Sequence, residues 1–193
     1  MATSKMSLTE PLFKVTPPGD GILVTTSRLR CVEPRPSDLE LLQKVFGDPA
    51  MMVLLGGTLT NEFIQKRLLD WQVSWREGKS LCGIVEERQS GKRIGSASIH
   101  PSTVPDQSGA EISYMILPEY QRRGYATEIS RGLIDYAFQV MKLDHLLITG
   151  NPQNEASQKI AKRLGFRCLG ETEYVHPYLN NCTKHTIWIL QRQ

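Results

Sequence analysis

The stretch "PEYQRRGYATEIS", residues 118–130, sets two arginines, a glycine and a small residue at a junction between two kinds of pattern. Before it runs "AEISYMIL" (110–117), a mostly apolar segment stopped by Pro118. After it, Ile129, Leu133, Tyr136, Ala137 and Val140 recur at helical spacing. The chain therefore reads strand, short turn, helix, with Gly124 where the helix starts. A helix start leaves its first backbone N–H groups unpaired and carries the positive end of the dipole. Diphosphates settle there when the backbone can be approached closely. Gly124 has no side chain to obstruct that approach, Ala126 keeps the next turn small, and Arg122 and Arg123 add charge at the rim. The turn is suited to a pyrophosphate; the plainer reading is a tight turn with solvated arginines.

Outward from this junction the elements alternate. Residues 1–20 carry Pro17-Pro18-Gly19 and no clear period, which predicts a loose arm ahead of a single domain over 21–193. A strand is expected at 22–30. "PRPSDLELLQKVFGDP" (34–49) predicts a helix, with Ser37 and Glu40 as a capping-box pair and Gly47 and Pro49 as its stop. A second helix is expected from Thr60 to Gly78, with Ile64, Leu68, Trp71 and Trp75 on one face. "LCGIVEER" and "RIGSASIH" flank "QSGK" as a hairpin. Beyond the central helix come the strand "HLLITGN", a helix over 154–164 closed by Gly165, and strands over 166–175 and "KHTIWILQ". This order predicts an α+β fold around a mixed, mostly antiparallel sheet.

The composition of 193 residues, 40% hydrophobic and 22% charged, suits one globular domain. A net charge of +3, without basic blocks, does not point to nucleic acid. No apolar run approaches the length of a membrane span, and the first residues lack a signal-peptide core. Cys31, Cys82, Cys168 and Cys182 include no C-x-x-C pair and read as free thiols in a reducing compartment, so a cytoplasmic location is expected. The four histidines make no metal-ligand spacing, and no metal is expected. Among nucleotide motifs, "REGKS" resembles a Walker A ending, but Val73 stands where the first glycine is needed. No G-x-G-x-x-G occurs.

Gln121-Arg122-Arg123-Gly124-Tyr125-Ala126 matches the Q/R-x-x-G-x-G/A signature of the GNAT acetyltransferases. "AEISYMILPEYQRRGYATEI" and "NPQNEASQKIAKRLGF" resemble that family's core and the segment that follows it. "TTSRLRCVEPRPSDLELL" and "DPAMMVLLGG" resemble its ribosomal-protein-acetylating (RimJ/RimL-like) branch. The resemblance spans residues 22–190 and departs in having Ala126 where glycine is more usual. It implies a GNAT fold, acetyl-CoA as co-substrate, and pyrophosphate held by backbone amides of Arg122, Arg123, Gly124, Tyr125, Ala126 and Thr127. It further implies that the main chain of Met115, Ile116 and Leu117 pairs with the pantetheine arm as an added strand, and that Asn154 reaches the same arm.

Two candidates for chemistry follow from the resemblance. Glu111 stands where several family members carry a general base; the other reading is that it hydrogen-bonds neighbouring strands. Ser157 takes the place where relatives carry a tyrosine that protonates the departing thiolate; the other reading is an ordinary helix serine. Asn154 is also a natural N-cap for the helix that holds Ser157. Asp106, His176, Tyr174 and the loop "HPYLNNCTK" are candidates for the border of an acceptor cleft. With no cysteine near the signature, direct transfer is expected. The resemblance implies a primary amine as acceptor, either a protein N-terminus or a small molecule, and a monomer or homodimer is expected. The reading from another class is a non-catalytic acyl-CoA-binding module on the same fold.

Overall fold

In a computed structural model of the chain, which describes residues 16–102, 104, 109–175 and 182–192, one sheet organises the molecule. Its strands are β1 (Ile22–Thr25), β2 (Leu29–Val32), β3 (Leu81–Glu87), β4 (Arg93–Pro101), β5 (Ala110–Ile116), β6 (His145–Gly150), β7 (Arg167–Val175) and β8 (Cys182–Gln191). They lie in the order β1-β2-β3-β4-β5-β6-β8-β7. Neighbours are antiparallel except β5 and β6, which run parallel. The α-helices are α1 (Leu39–Phe46), the single turn α2 (Pro49–Met52), α3 (Asn61–Glu77), α4 (Tyr125–Gln139) and α5 (Glu155–Arg163). The architecture is α+β around a mixed, mostly antiparallel sheet, as the resemblance to the GNAT fold implies.

Adjacent strand residues point to opposite faces, and the core divides accordingly. Cys31 and Val85 join a buried cluster with Ile129, Leu133 and Ala137 of α4. Their neighbours Val32 and Ile84 join a second, with Leu42 and Val45 of α1 and Ile64 and Leu68 of α3. Helices thus cover both faces of the sheet. Gly132 lets α4 lie close on β1, because a Cβ there would collide with Val24 Cγ1. Trp75 is buried in the first cluster, whereas Trp71 is half-buried and meets Phe46 edge-on, with 5.9 Å between ring centroids.

Three local expectations need correction. The strand expected over 22–30 is two strands, turned back at residues 26–28. The Ser37–Glu40 capping box does not form: Asp38 accepts the Arg35 N–H at 2.6 Å and pairs with Arg93, while Glu40 pairs with Lys44 one turn on. The segment after Gly47 is helical, because Asp48 accepts the N–H groups of Ala50 and Met51 at 2.7 and 3.1 Å.

Candidate active site

The turn between β5 and α4 combines two left-handed residues, Arg122 at φ 60° and Gly124 at φ 80°. Backbone of this kind turns successive N–H groups toward one side and makes an anion-binding nest. The first intrahelical bond of α4 runs from Glu128 N–H to the Gly124 carbonyl, at 3.0 Å, and no side chain caps the helix. The N–H groups of Tyr125, Ala126 and Thr127 therefore have no carbonyl within the helix. A Cβ on Gly124 would meet only Arg28 Nη2, at 3.6 Å, so the approach is open.

The side chains of the signature point elsewhere. Gln121 folds back to donate to the Ile116 carbonyl at 2.8 Å. Arg123 donates to the Glu119 carbonyl at 2.9 Å and lies over the Tyr120 ring. Tyr125 is buried, its hydroxyl donating to Glu87 at 2.6 Å. That bond, together with burial, raises the Tyr125 phenol, while hydrogen bonds from Ser90 and Tyr125 lower the Glu87 carboxyl. What the turn presents outward is main chain, with Arg122 exposed at its rim.

Beside the nest, β5 parts from β6. Their pairing covers only Ala110↔Leu146 and Glu111↔Leu147, and the strands then diverge into a wedge. Hydrogen bonds at both ends of β5 reveal which amides face that wedge. Ser102 N–H bonds the Gly109 carbonyl at 3.0 Å, and Leu117 N–H bonds the Ile94 carbonyl at 2.9 Å. Peptide groups alternate along an antiparallel ladder, so residues 109, 111, 113, 115 and 117 direct theirs to β4. Tyr114 and Ile116 direct theirs into the wedge. Met115 and Leu117 thus direct their peptide groups to β4, and Leu117 also gives its carbonyl to Tyr120 N–H.

At the vertex of the wedge Glu111 is buried, 5% exposed, and accepts a hydrogen bond from Thr149 Oγ1 of β6. His100 stands directly opposite Glu111 in the β4–β5 register. His185 of β8 is buried close by; burial pushes its imidazole down, against the opposing pull of Glu111. On the far arm, Asn154 caps α5 by accepting the Ser157 N–H at 3.1 Å. Ser157 Oγ lies 3.2 Å from the hydroxyl of Tyr114. The structure thus gathers Glu111, Ile116, Ser157, Asn154 and the turn at 122–127 around one wedge. No group of histidine, cysteine, aspartate and glutamate side chains suited to a metal ion occurs among the described residues.

Residues 28–167 match the family described as the acetyltransferase (GNAT) domain. The chain belongs to the GNAT acetyltransferases. It is therefore an acyltransferase, of a family whose named relatives are N-acetyltransferases. It is 29% identical to the uncharacterized protein YkkB of Bacillus subtilis over 139 residues, covering 72% of this chain and 80% of that one. Over 62 residues it is 39% identical to the spermidine N(1)-acetyltransferase of Escherichia coli, a match covering 32% of this chain and 33% of that enzyme. RimL, a ribosomal L7/L12 α-N-protein acetyltransferase solved with coenzyme A, shares the fold at a TM-score of 0.71 and 16% identity. That likeness covers 87% of this chain and 97% of RimL.

Two residues beside the nest and the wedge carry no mark in the sequence. Arg28 reaches the nest from the β1–β2 turn, donating to the Arg123 carbonyl at 3.1 Å and pairing with Glu128 at 2.6 Å. Nothing in its local sequence marks it. Tyr114 sat unnoticed within the apolar run, although strand alternation alone separates it from Met115. Asp106, His176 and residues 177–181 of the candidate acceptor loop lie outside the described residues, as does the side chain of Tyr174. Among the described residues, no helix is long and apolar enough to cross a membrane.

Proposed function

We propose that the protein moves an acetyl group from acetyl-CoA directly to a primary amine. The observation that carries this reading is the half-open wedge, where the edge of β5 beyond its last pair with β6 runs from an uncapped helix start down to a buried carboxylate. The pyrophosphate sits on the amides of residues 122–127, with Arg122 and Arg28 at its edge. The pantetheine amides pair with the main chain of Tyr114 and with the N–H of Ile116, whose carbonyl is held by Gln121, and this brings the thioester toward the vertex. Glu111, directly or through a water, takes a proton from the acceptor amine. The amine attacks the thioester carbonyl, the tetrahedral intermediate collapses, and the thiolate leaves beside Ser157. Cys31 and Cys82 are unsuited to carry the acyl group, because burial raises both thiols.

The acceptor belongs to one of two classes: the α-amine of a protein, as RimL's name states for that enzyme, or a polyamine, as for the spermidine enzyme. Thiol release from acetyl-CoA is the test, with spermidine and peptides beginning in serine or alanine as acceptors. Release above the hydrolysis background with one of them is the expected result. Tight acetyl-CoA binding with no release from any amine would instead make the chain a binding module.

A further inference from the structure

Tyr114 and Gly150 stand three residues beyond the last paired positions of β5 and β6, on the diverging arms of the wedge. Ser157 lies against the β6 arm, since a Cβ on Gly150 would stand 3.7 Å from its Oγ. The 3.2 Å hydrogen bond between Tyr114 Oη and Ser157 Oγ therefore spans the wedge. Each partner is held from behind. The Tyr114 ring packs on the core cluster beneath α4, and the Ser157 N–H is tied to Asn154. Burial raises the Tyr114 phenol despite its bond to Ser157, so it keeps its proton throughout the neutral range.

We propose that Tyr114 donates its hydroxyl hydrogen to Ser157 Oγ and thereby turns the serine's own hydrogen into the wedge, toward the thioester sulfur. This rests on the acetyl-transfer reading above. Ser157 touches the reacting sulfur; Tyr114 is a positioning residue. When the C–S bond breaks, its electron pair goes to sulfur, and the Ser157 O–H stabilises that thiolate by a hydrogen bond. No proton crosses from the tyrosine. An ordinary phenol near ~10 is a weaker acid than a thiol near ~8.5, so complete transfer would run uphill. The thiolate takes its proton from solvent after release; the ammonium proton leaves through Glu111 before attack, and the second N–H proton passes by the same route to solvent as the intermediate collapses.

The test needs no acceptor. Ionisation of the thiol of bound CoA is followed by thiolate ultraviolet absorbance against pH, with desulfo-CoA as the blank for tyrosine and protein. In the wild type the bound thiol should ionise more readily than free CoA. Tyr114→Phe and Ser157→Ala should each lower its ionisation constant about tenfold, the scale of one hydrogen bond to a charged group. The double variant should be no worse than Ser157→Ala alone, because Tyr114 acts through the serine. Identical ionisation in all four proteins, with CoA still bound, overturns the proposal. So do fully additive effects, which would mean that Tyr114 reaches the sulfur by itself. A wild type that does not bind CoA at all would bring down the acetyl-transfer reading and this proposal together.

Discussion

At Gly124 the backbone sits at φ 80°, and among the described residues a Cβ there would meet Arg28 alone within 4 Å. Any side chain there meets about 1–2 kcal/mol of left-handed strain. A glutamate would also put a negative charge where the nest gathers N–H groups. Gly124→Glu is therefore expected to weaken acetyl-CoA roughly a hundredfold, about 3 kcal/mol, so that the ligand no longer raises the melting temperature. A folded variant that binds as before would move the pyrophosphate elsewhere. Glu111 poses a chemical question instead. A lysine-like amine near ~10.4 costs roughly 4–5 kcal/mol to deprotonate at pH 7, and an α-amine only about 1 kcal/mol. Glu111→Gln still accepts the Thr149 hydroxyl, so the vertex keeps its shape. If Glu111 is the base, the variant loses rate strongly near pH 7 with a polyamine and recovers toward the amine's own pKa. With an α-amine the loss is mild. Parallel pH–rate curves for both proteins would leave Glu111 a structural residue.

Elements were legible where their causes are local. α3 and α5 announce themselves through periodicity and through Thr60 and Asn154, whose side chains accept the N–H groups of Phe63 and Ser157. The β1–β2 turn has no such mark, because Thr26, Ser27 and Arg28 include no glycine, proline or asparagine. Its cause lies 100 residues away. Glu128, in the first turn of α4, accepts Thr26 Oγ1 at 2.6 Å, Ser27 Oγ at 3.0 Å, Arg28 N–H at 2.9 Å and Arg28 Nε at 2.7 Å. Burial pulls this carboxyl up, but the hydrogen bonds from Thr26, Arg28 and Ser27 outweigh it and hold it below the ordinary value. Stability from a carboxyl lowered by folding is complete above its unfolded pKa and is lost as pH falls through the folded one. Glu128→Gln should thus cost about 1–2 kcal/mol at neutral pH. The gap between the two proteins should close in acid, as pH falls below the ordinary carboxylate range. Urea midpoints measured from neutral to acid would check this. A gap that stays constant with pH would mean that packing, not charge, holds the turn.

Across the whole molecule the sheet is two assemblies, β1–β5 and β6–β8, joined by two residue pairs at the foot of the wedge and by the helices that pack on both. Sequence pattern located most of the strands and helices but neither their order in the sheet nor which β5 amides face the gap. That depends on the register with β4, set by Gly95↔Ile116 at one end and Pro101↔Ala110 at the other. The same register yields a test of where the cofactor lies. Without ligand, the N–H groups of Met115 and Leu117 are bonded to β4, while those of Tyr114 and Ile116 face the wedge. Acetyl-CoA entering as an added strand supplies acceptors only to the second pair. Hydrogen exchange should therefore slow at Tyr114 and Ile116 by at least about tenfold on binding, since exchange follows local opening. Met115 and Leu117 should change little beyond the general stabilisation that any tight ligand confers. Desulfo-CoA should give the same pattern, because the pantetheine amides, not the sulfur, make these bonds. Protection at Met115 and Leu117 with none at Tyr114 and Ile116 would require a different β5 register. Uniform protection of all four would place the ligand outside the wedge, acting only through global stability.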